Sequence, residues 1–527
     1  MTFTLRGPLR PMTRIERAGL ALAWLLATAL MWPLRHYLTD DTFIHLQYAK
    51  HLAQGQGLVF NVGERVYGCT SPLWVTLLAD CMALHLDGLL VARCVGAAAA
   101  FGSVLAFLRL MRRTVRTPEL RAFATVAWSS HAWMLRWSMS GMETALAVVL
   151  VLGGFVAYTE GLQWGSRPVR TGALWALAAL TRPEAVFLLA LWALFLLVDA
   201  DSRNGVRRLV FGLLPPVLIY GSWLAFSKLY FGTFWPETLN AKAAGGEGLA
   251  YQLENLAREL KIVAATDGLL VLVLVLALGF GATRVLSRGL HARSLLPWAW
   301  VLGVPALYVS RGVPVLSRYL LPLLPILAWL TWRAAERWWL GGAETPANRR
   351  RAVVLGALLM VGVLAQNVIV FQTSVVPHVE SFTAGLQGSL IPWGKWFRAH
   401  TPPDAEIAAP DIGAIAYFSE RRVLDLAGLV SPPMIPLLRD ETQESVIANL
   451  RFASFARPDF LIDRASVPND MLARSPYAAA LTPLGHALVP NLGIARPGRA
   501  IYTFYRVDWA MVDSLRAQAP GAGGPPR

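Results

Sequence analysis

Residues 39–74 read TDDTFIHLQYAKHLAQGQGLVFNVGERVYGCTSPLW. The stretch follows directly on the first apolar run of the chain, yet it is too polar to span a bilayer. It opens on two adjacent carboxylates, Asp40 and Asp41. Phe43, Ile44, Leu46, Gln47, Tyr48, His51 and Leu52 then recur at helical spacing. Gln54, Gly55, Gln56 and Gly57 break that helix. Leu58, Val59 and Phe60 read as a short extended piece, NVGE as a turn, and CTSPLW as the start of a new apolar segment. Carboxylates held at a membrane surface are costly, so they read as functional.

The surrounding chain sets the class. Of 527 residues, 55% are hydrophobic and only 15% charged, with a mean hydropathy of +0.47. Repeated apolar runs of spanning length predict a polytopic α-helical membrane protein. The first run lacks a small-residue cleavage site and reads as an uncleaved first helix. The formal net charge is +15, but the arginines sit in short loops between apolar runs. Retention of orientation accounts for them, and no nucleic-acid partner is expected. Cys69, Cys81 and Cys94 lie too close in sequence to frame a disulfide scaffold or a metal knuckle.

Arg6, Arg10, Arg14 and Arg17 precede helix 1, roughly Ala18 to Leu34. They place the N-terminus in the cytoplasm and Asp40–Asp41 outside. If Pro72 to Leu90 crossed, Arg112, Arg113, Arg116 and Arg121 would fall outside. That segment is therefore read as juxtamembrane or re-entrant. The remaining runs give about eleven spans, with a broken pair near 171–181 and 185–198 and a long polar loop over 230–266. Residues 1–371 form the membrane domain in this reading. Residues 372–527 form a soluble extracytoplasmic α/β domain, with AEIAAPDIGAIAYF, RRVLDLAGLV, DFLIDR and AIYTFYRV as strand regions. The tail APGAGGPPR is expected to be disordered.

Three polar groups fall on the outer face. Asp40 and Asp41 are the first. Capping a helix that begins near Thr42 needs one such residue and not two, and a partly desolvated carboxylate can serve as a general base. Adjacent positions at a helix start diverge by about 100°, so one should be the base and the other a cap or cation ligand. The position nearer the exit of helix 1 favours Asp40 as base. His45 and Tyr48, on the same helix, join the substrate-binding set. The second group is Glu143 in WSMSGMETAL, which either favours the helix dipole or binds sugar hydroxyls. With Asp40 and Asp41 it could also hold a hard divalent cation such as Mg, Mn or Ca. The third group is cationic: Arg182, Lys242, Arg311 and Arg318. They lie outside against the charge bias and offer phosphate binding, with interfacial snorkelling as the alternative. Glu184 can pair with Arg182.

These residues resemble the GT-C superfamily of polyprenyl-phosphate-sugar-dependent glycosyltransferases. The resemblance is closest to the mycobacterial terminal β-(1→2) arabinofuranosyltransferase branch. The segments that carry it are DDTFI, GLVFNVGERVYGCTSPLW, SGMETAL, LTRPEA, YFGTFWPETLNAK and RYLLPLLP, with DIGAIAYF and VLDLAGLV in the C-terminal domain. Cys69 and Trp235-Pro236-Glu237 depart from the branch's pattern. The resemblance implies an inverting transfer of a sugar, such as arabinofuranose, from a polyprenyl-phosphate donor to a cell-envelope glycan or glycolipid. The site would face outward from a bacterial inner membrane, with Asp40 or Asp41 as base. A transporter or flippase for a lipid-linked sugar is the alternative. It would need polar intramembrane groups on the cytoplasmic half, and the sequence offers few.

Overall fold

The computed structural model describes residues 11–164, 168–198, 205–237, 248–286, 295–341, 345–490 and 498–518. Lys242 and the tail 519–527 lie outside the described residues.

The first seven helices are α1 (Arg14–Met31), α2 (Asp40–Ala53), α3 (Pro72–Ala83), α4 (Gly88–Thr114), α5 (Pro118–Ser129), α6 (Ala132–Ser138) and α7 (Thr144–Trp164). Next come α8 (Pro168–Ala179), α9 (Ala185–Val198), α10 (Gly205–Pro216) and α11 (Ser222–Phe231). Among the described residues, six helical stretches are long and apolar enough to cross a membrane: 14–34, 88–114, 144–161, 205–231, 249–279 and 346–400. Helix α3 has 12 residues, about 18 Å, too short to span.

Three segments depart from the sequence expectation. Residues 249–266, read as loop, are the amphipathic first half of a 38-residue helix, Leu249–Leu286. Charged residues such as Glu254 and Arg258 hid its helical period. Residues 121–138, read as one of the about eleven spans, are split between α5 and α6, with a turn at Ser130 and His131. The helix that starts at Pro346 does not stop near 371. It passes through a π-helical turn, Phe371–Val375, and continues as Val376–Gly388 and Leu390–His400.

The bundle has two chemically distinct ends. At one end Glu16 bonds Arg112 (3.1 Å) and Arg121 (2.7 Å), and Glu160 bonds Arg109 and Arg113, both at 2.7 Å. These groups cap the C-terminal ends of α4 and α7. The opposite ends of the same helices, at Gly88 and Thr144, meet α2. Between the two ends, two buried polar contacts join helices. His131 Nε2 lies 3.0 Å from Asp267 Oδ2, and Asn367 donates to the Thr266 carbonyl.

The C-terminal domain holds a five-stranded sheet: β1 (Glu406–Ala409), β2 (Arg422–Asp425), β3 (Phe460–Ala465), β4 (Leu481–Val489) and β5 (Ala500–Val507). The order is β2-β1-β3-β5-β4, parallel across β2, β1 and β3 and antiparallel across β3, β5 and β4. The strand period of two sorts the faces. Ile407, Ala409, Val423, Phe460, Ile462 and Phe504 join one core with Leu46, Tyr48, Phe60 and Trp74 of the first outer loop. Ala408, Leu424, Leu461 and Tyr505 face a second core under the C-terminal helices. The segment 39–74 is thus the mortar between bundle and sheet. Asn61 strengthens the joint by exchanging two 3.0 Å bonds with the backbone of Val423 on edge strand β2, which occupies part of an otherwise open edge.

DIGAIAYF, expected as strand, is instead the helix Gly413–Ser419 that crosses from β1 to β2. Its cause is tertiary. The Asp40 carboxylate accepts from Gly413 N (2.9 Å) and Ala414 N (2.8 Å) at the start of that helix, where orphan amides need acceptors.

Candidate active site

Helix α2 positions the site. Thr39 caps it, accepting from Thr42 N, and the Thr42 hydroxyl donates to the Ser140 carbonyl at 2.7 Å. The start of α2 is thereby tied to the loop before α7. Gly141 there has φ +81°, and a Cβ on it would come within 2.6 Å of the Thr42 methyl, so the close approach requires glycine.

With the start fixed, Asp40 and Asp41 point to different neighbours. Asp40 turns to the C-terminal domain, and the Gly413 and Ala414 amides occupy both its oxygens. Burial pushes its carboxyl up to about 7, with the nearby Asp411 charge adding to the rise. Asp41 turns into a cavity of about 380 Å³, where its Oδ2 lies 2.6 Å from Arg318 Nη2. The carboxylate on the cavity wall is therefore Asp41, where the sequence favoured Asp40. Asp40 is saturated by amides and absent from the cavity wall, while Asp41 lines it.

Six of the other expected residues line the same cavity: His45, Glu143, Arg182, Glu184, Arg311 and Arg318. They come from α2, from the start of α7, from the α8–α9 turn and from the segment between Ser310 and Leu320. Arg182 sits between two carboxylates, 2.8 Å from Glu143 Oε1 and 2.8 Å from Glu184 Oε1. Burial works to raise the Glu143 carboxyl, but the Arg182 charge above all, with Arg318 beyond it, outweighs burial and holds the group below the usual carboxylate range. Burial likewise keeps His45 below the usual imidazole value. His45 Nδ1 lies 3.7 Å from Glu143 Oε2, and neither atom has a hydrogen-bond partner. Among the described residues, no carboxylate pairs with Arg311, which is exposed.

Tyr48 is a correction. It is fully buried and packs on Phe60 with ring centroids 5.7 Å apart, behind Gly68, which lines the cavity where Tyr48 does not. The apolar stripe of α2, not ligand contact, explains it. The carboxylates expected as a cation set, Asp40, Asp41 and Glu143, each have a different partner. In the structure Asp40 accepts from the Gly413 and Ala414 amides, Asp41 from Arg318 and Glu143 from Arg182. Among the described residues, no group of three His, Cys, Asp or Glu is arranged to hold a metal.

Aromatic walls were missed in the sequence. Tyr67 stacks on Phe231 at 4.8 Å and accepts from Trp223 Nε1 at 2.8 Å. Tyr308 and Tyr319 stack at 5.7 Å, and the Arg182 and Arg318 guanidiniums lie 5.0 and 5.3 Å from the Tyr319 ring. Their signal was position alone: Tyr319 adjoins Arg318, and Tyr308 precedes Arg311 by three residues.

Leu429 and Val430 of the C-terminal domain close one side of the cavity. Asp425 folds their loop, accepting from Ala427 N at 2.8 Å and Val430 N at 3.0 Å. A Cβ on Gly68 would lie 2.9 Å from the Leu429 carbonyl oxygen, so the loop seats against the first outer segment only because that residue is glycine. The cavity is therefore built by both domains. Its floor is charged and its walls are apolar and aromatic, an arrangement suited to a ligand with a phosphate and a greasy tail.

A family model described as a domain of unknown function, DUF8728, matches residues 383–519. The terminal β-(1→2)-arabinofuranosyltransferase of Corynebacterium glutamicum is 30% identical over 236 residues, which cover 40% of this chain and 34% of that protein. The enzyme of the same name from Mycobacterium tuberculosis is 29% identical over 238 residues, 40% of this chain and 36% of that protein. The matched segment thus spans about a third of these relatives. Among solved structures, ArnT from Cupriavidus metallidurans bound to undecaprenyl phosphate aligns with TM-score 0.55 and 14% identity over 97% of this chain and 99% of that one. The Archaeoglobus fulgidus oligosaccharyltransferase AglB, in complex with an inhibitory peptide and a dolichol-phosphate, aligns with TM-score 0.56 and 11% identity over 85% of this chain and 69% of that one. The chain is a multi-pass membrane protein with the GT-C fold, similar in sequence to the terminal β-(1→2)-arabinofuranosyltransferases.

Proposed function

We propose that the protein is a membrane glycosyltransferase that moves a sugar from a polyprenyl-phosphate donor to a cell-envelope glycan or glycolipid hydroxyl, with inversion. The observation that carries the reading is the Asp41–Arg318 pair at 2.6 Å in the shared cavity: a base and a phosphate-binding cation in contact. The named activities of the two relatives support it, and so do the undecaprenyl phosphate and dolichol-phosphate bound in solved structures with this fold.

In the reaction, Asp41 takes the proton of the acceptor hydroxyl as its oxygen bonds the anomeric carbon. The bond from that carbon to the phosphate oxygen breaks, and polyprenyl phosphate leaves. Arg311 and Arg318 offset the charge that develops on the leaving group. The donor phosphate competes with Asp41 for Arg318, so donor binding releases the base. Arg182 is a positioning residue, since Glu143 and Glu184 already neutralise it. The apolar walls take the start of the polyprenyl chain. The arginine clusters at the far ends of α4 and α7 favour an extracytoplasmic site.

The test is transfer by the full chain in detergent from a panel of polyprenyl-phosphate pentoses and hexoses, read by mass. Saccharide product with free polyprenyl phosphate is expected. Passage of intact donor across proteoliposomes without product would favour a transporter instead.

A further inference from the structure

We infer that His45 Nδ1 and Glu143 Oε2 clamp one hydroxyl of the transferred sugar, so that the cavity selects a neutral ring hydroxylated at one defined position. The inference rests on the glycosyltransferase reading. The two atoms face each other across 3.7 Å, too far for a direct bond, which needs about 2.7–3.2 Å. Both are buried and both lack a hydrogen-bond partner. Buried polar atoms left in that state are rare and costly, and both residues line the cavity. A single oxygen about 2.8 Å from each would satisfy the pair.

The chemistry of the two atoms selects the group. Glu143 accepts only, since Arg182 holds it in the charged form through its other oxygen. Burial keeps His45 in the neutral form, with one N–H and one acceptor nitrogen. With Nδ1 as the N–H, a hydroxyl donates to Glu143 and accepts from His45. An ionised carboxylate or phosphate has no proton for Glu143 and would be repelled by it. An ammonium has no lone pair for Nδ1–H and would meet the charges of Arg182 and Arg318, which both bear on this pair. His45 follows Asp41 by one helical turn, with Cβ atoms about 5–6 Å apart. The held hydroxyl is thus on the sugar beside the reacting carbon, not on the acceptor's far end.

The experiment uses the preferred polyprenyl-phosphate sugar and its complete set of monodeoxy analogues. The full chain is compared with His45→Ala and Glu143→Gln, each checked for folding by thermal unfolding. A site built around a substrate hydroxyl rejects the analogue that lacks it far more strongly than a site without such contacts. The wild type should lose at least about 100-fold in kcat/KM at one position and under about 10-fold elsewhere. In His45→Ala the ratio of parent to that analogue should fall to within about threefold. A 100-fold ratio that persists in His45→Ala overturns the clamp, as does equal loss at every position. Glu143→Gln weakens the Arg182 pair and can unfold. His45→Ala then decides alone, since the polar group facing its Nδ1 is Glu143. Absence of transfer from every donor overturns the glycosyltransferase reading, and the same ratio read as donor binding by calorimetry then decides the clamp.

Discussion

Asp41 and Arg318, 277 residues apart in the chain, meet at 2.6 Å, while Asp40, the immediate neighbour of Asp41, faces the opposite way into the amides of Gly413 and Ala414. Two adjacent carboxylates at one helix start thus serve two domains. Asp40 fastens the C-terminal domain to α2, and Asp41 and His45 on the same helix line the cavity. Sequence proximity disguised a division of labour.

The two buried arginines should respond differently to removal. Arg182→Ala leaves Glu143 and Glu184 buried without their counter-charge. Breaking such a group by removing one partner costs about 3–5 kcal/mol, so thermal unfolding in detergent should show a clear loss of stability. Arg318→Ala leaves Asp41, whose side chain is 43% exposed, and should cost much less stability. Its effect should fall on donor affinity, where a charge-assisted bond is worth about 1.5–3 kcal/mol. Equal unfolding temperatures for the two variants would contradict this assignment.

Gly413→Ala tests the domain joint. A Cβ there would collide with the Asp40 carbonyl, and neither backbone can yield without moving α2 or the Gly413–Ser419 helix. Overpacking of this kind costs about 1–3 kcal/mol. The variant should lose stability and transfer together, although residue 413 touches no substrate. Normal transfer in Gly413→Ala would separate the joint from the chemistry.

The joint should also be pH-dependent. Burial and the Asp411 charge raise Asp40 from its ordinary value of 3.8 to about 7 in the folded protein. Burial raises Asp425 from 3.8 to about 6. A raised carboxyl binds its proton more tightly when folded. Its contribution to stability is therefore full below about pH 4 and is lost as pH rises through 6 and 7. Asp40→Asn stays neutral throughout, so the drop in unfolding temperature between pH 5 and pH 8 should be smaller than in the wild type. Identical drops would mean that Asp40 does not titrate in this window.

The class of the protein was legible because spanning runs and arginine loops are local signals. The GT-C resemblance held because the first-loop motif is long. Asp41, His45, Glu143, Arg182, Glu184, Arg311 and Arg318 were named from the sequence and share one cavity. What the sequence hid was tertiary. DIGAIAYF has strand-like composition, and Asp40, from a distant segment, helps hold it as a helix. Tyr48 looked like a ligand contact because its burial under Gly68 depends on the C-terminal domain. The roles of Asp40 and Asp41 could not be separated without the partners each one faces. Tyr308 and Tyr319 carried no motif of their own.

The most direct measurement is single-turnover transfer by Asp40→Asn and Asp41→Asn, each confirmed as folded. Asn keeps the shape of Asp and removes proton acceptance. Loss of a general base costs about 10² to 10⁴ in rate, so Asp41→Asn should fall by that factor at saturating donor. Asp40→Asn keeps one carbonyl acceptor for one of the two helix amides and should retain turnover within about 10-fold. Near-normal turnover in Asp41→Asn, or a collapse in Asp40→Asn alone, would contradict the account.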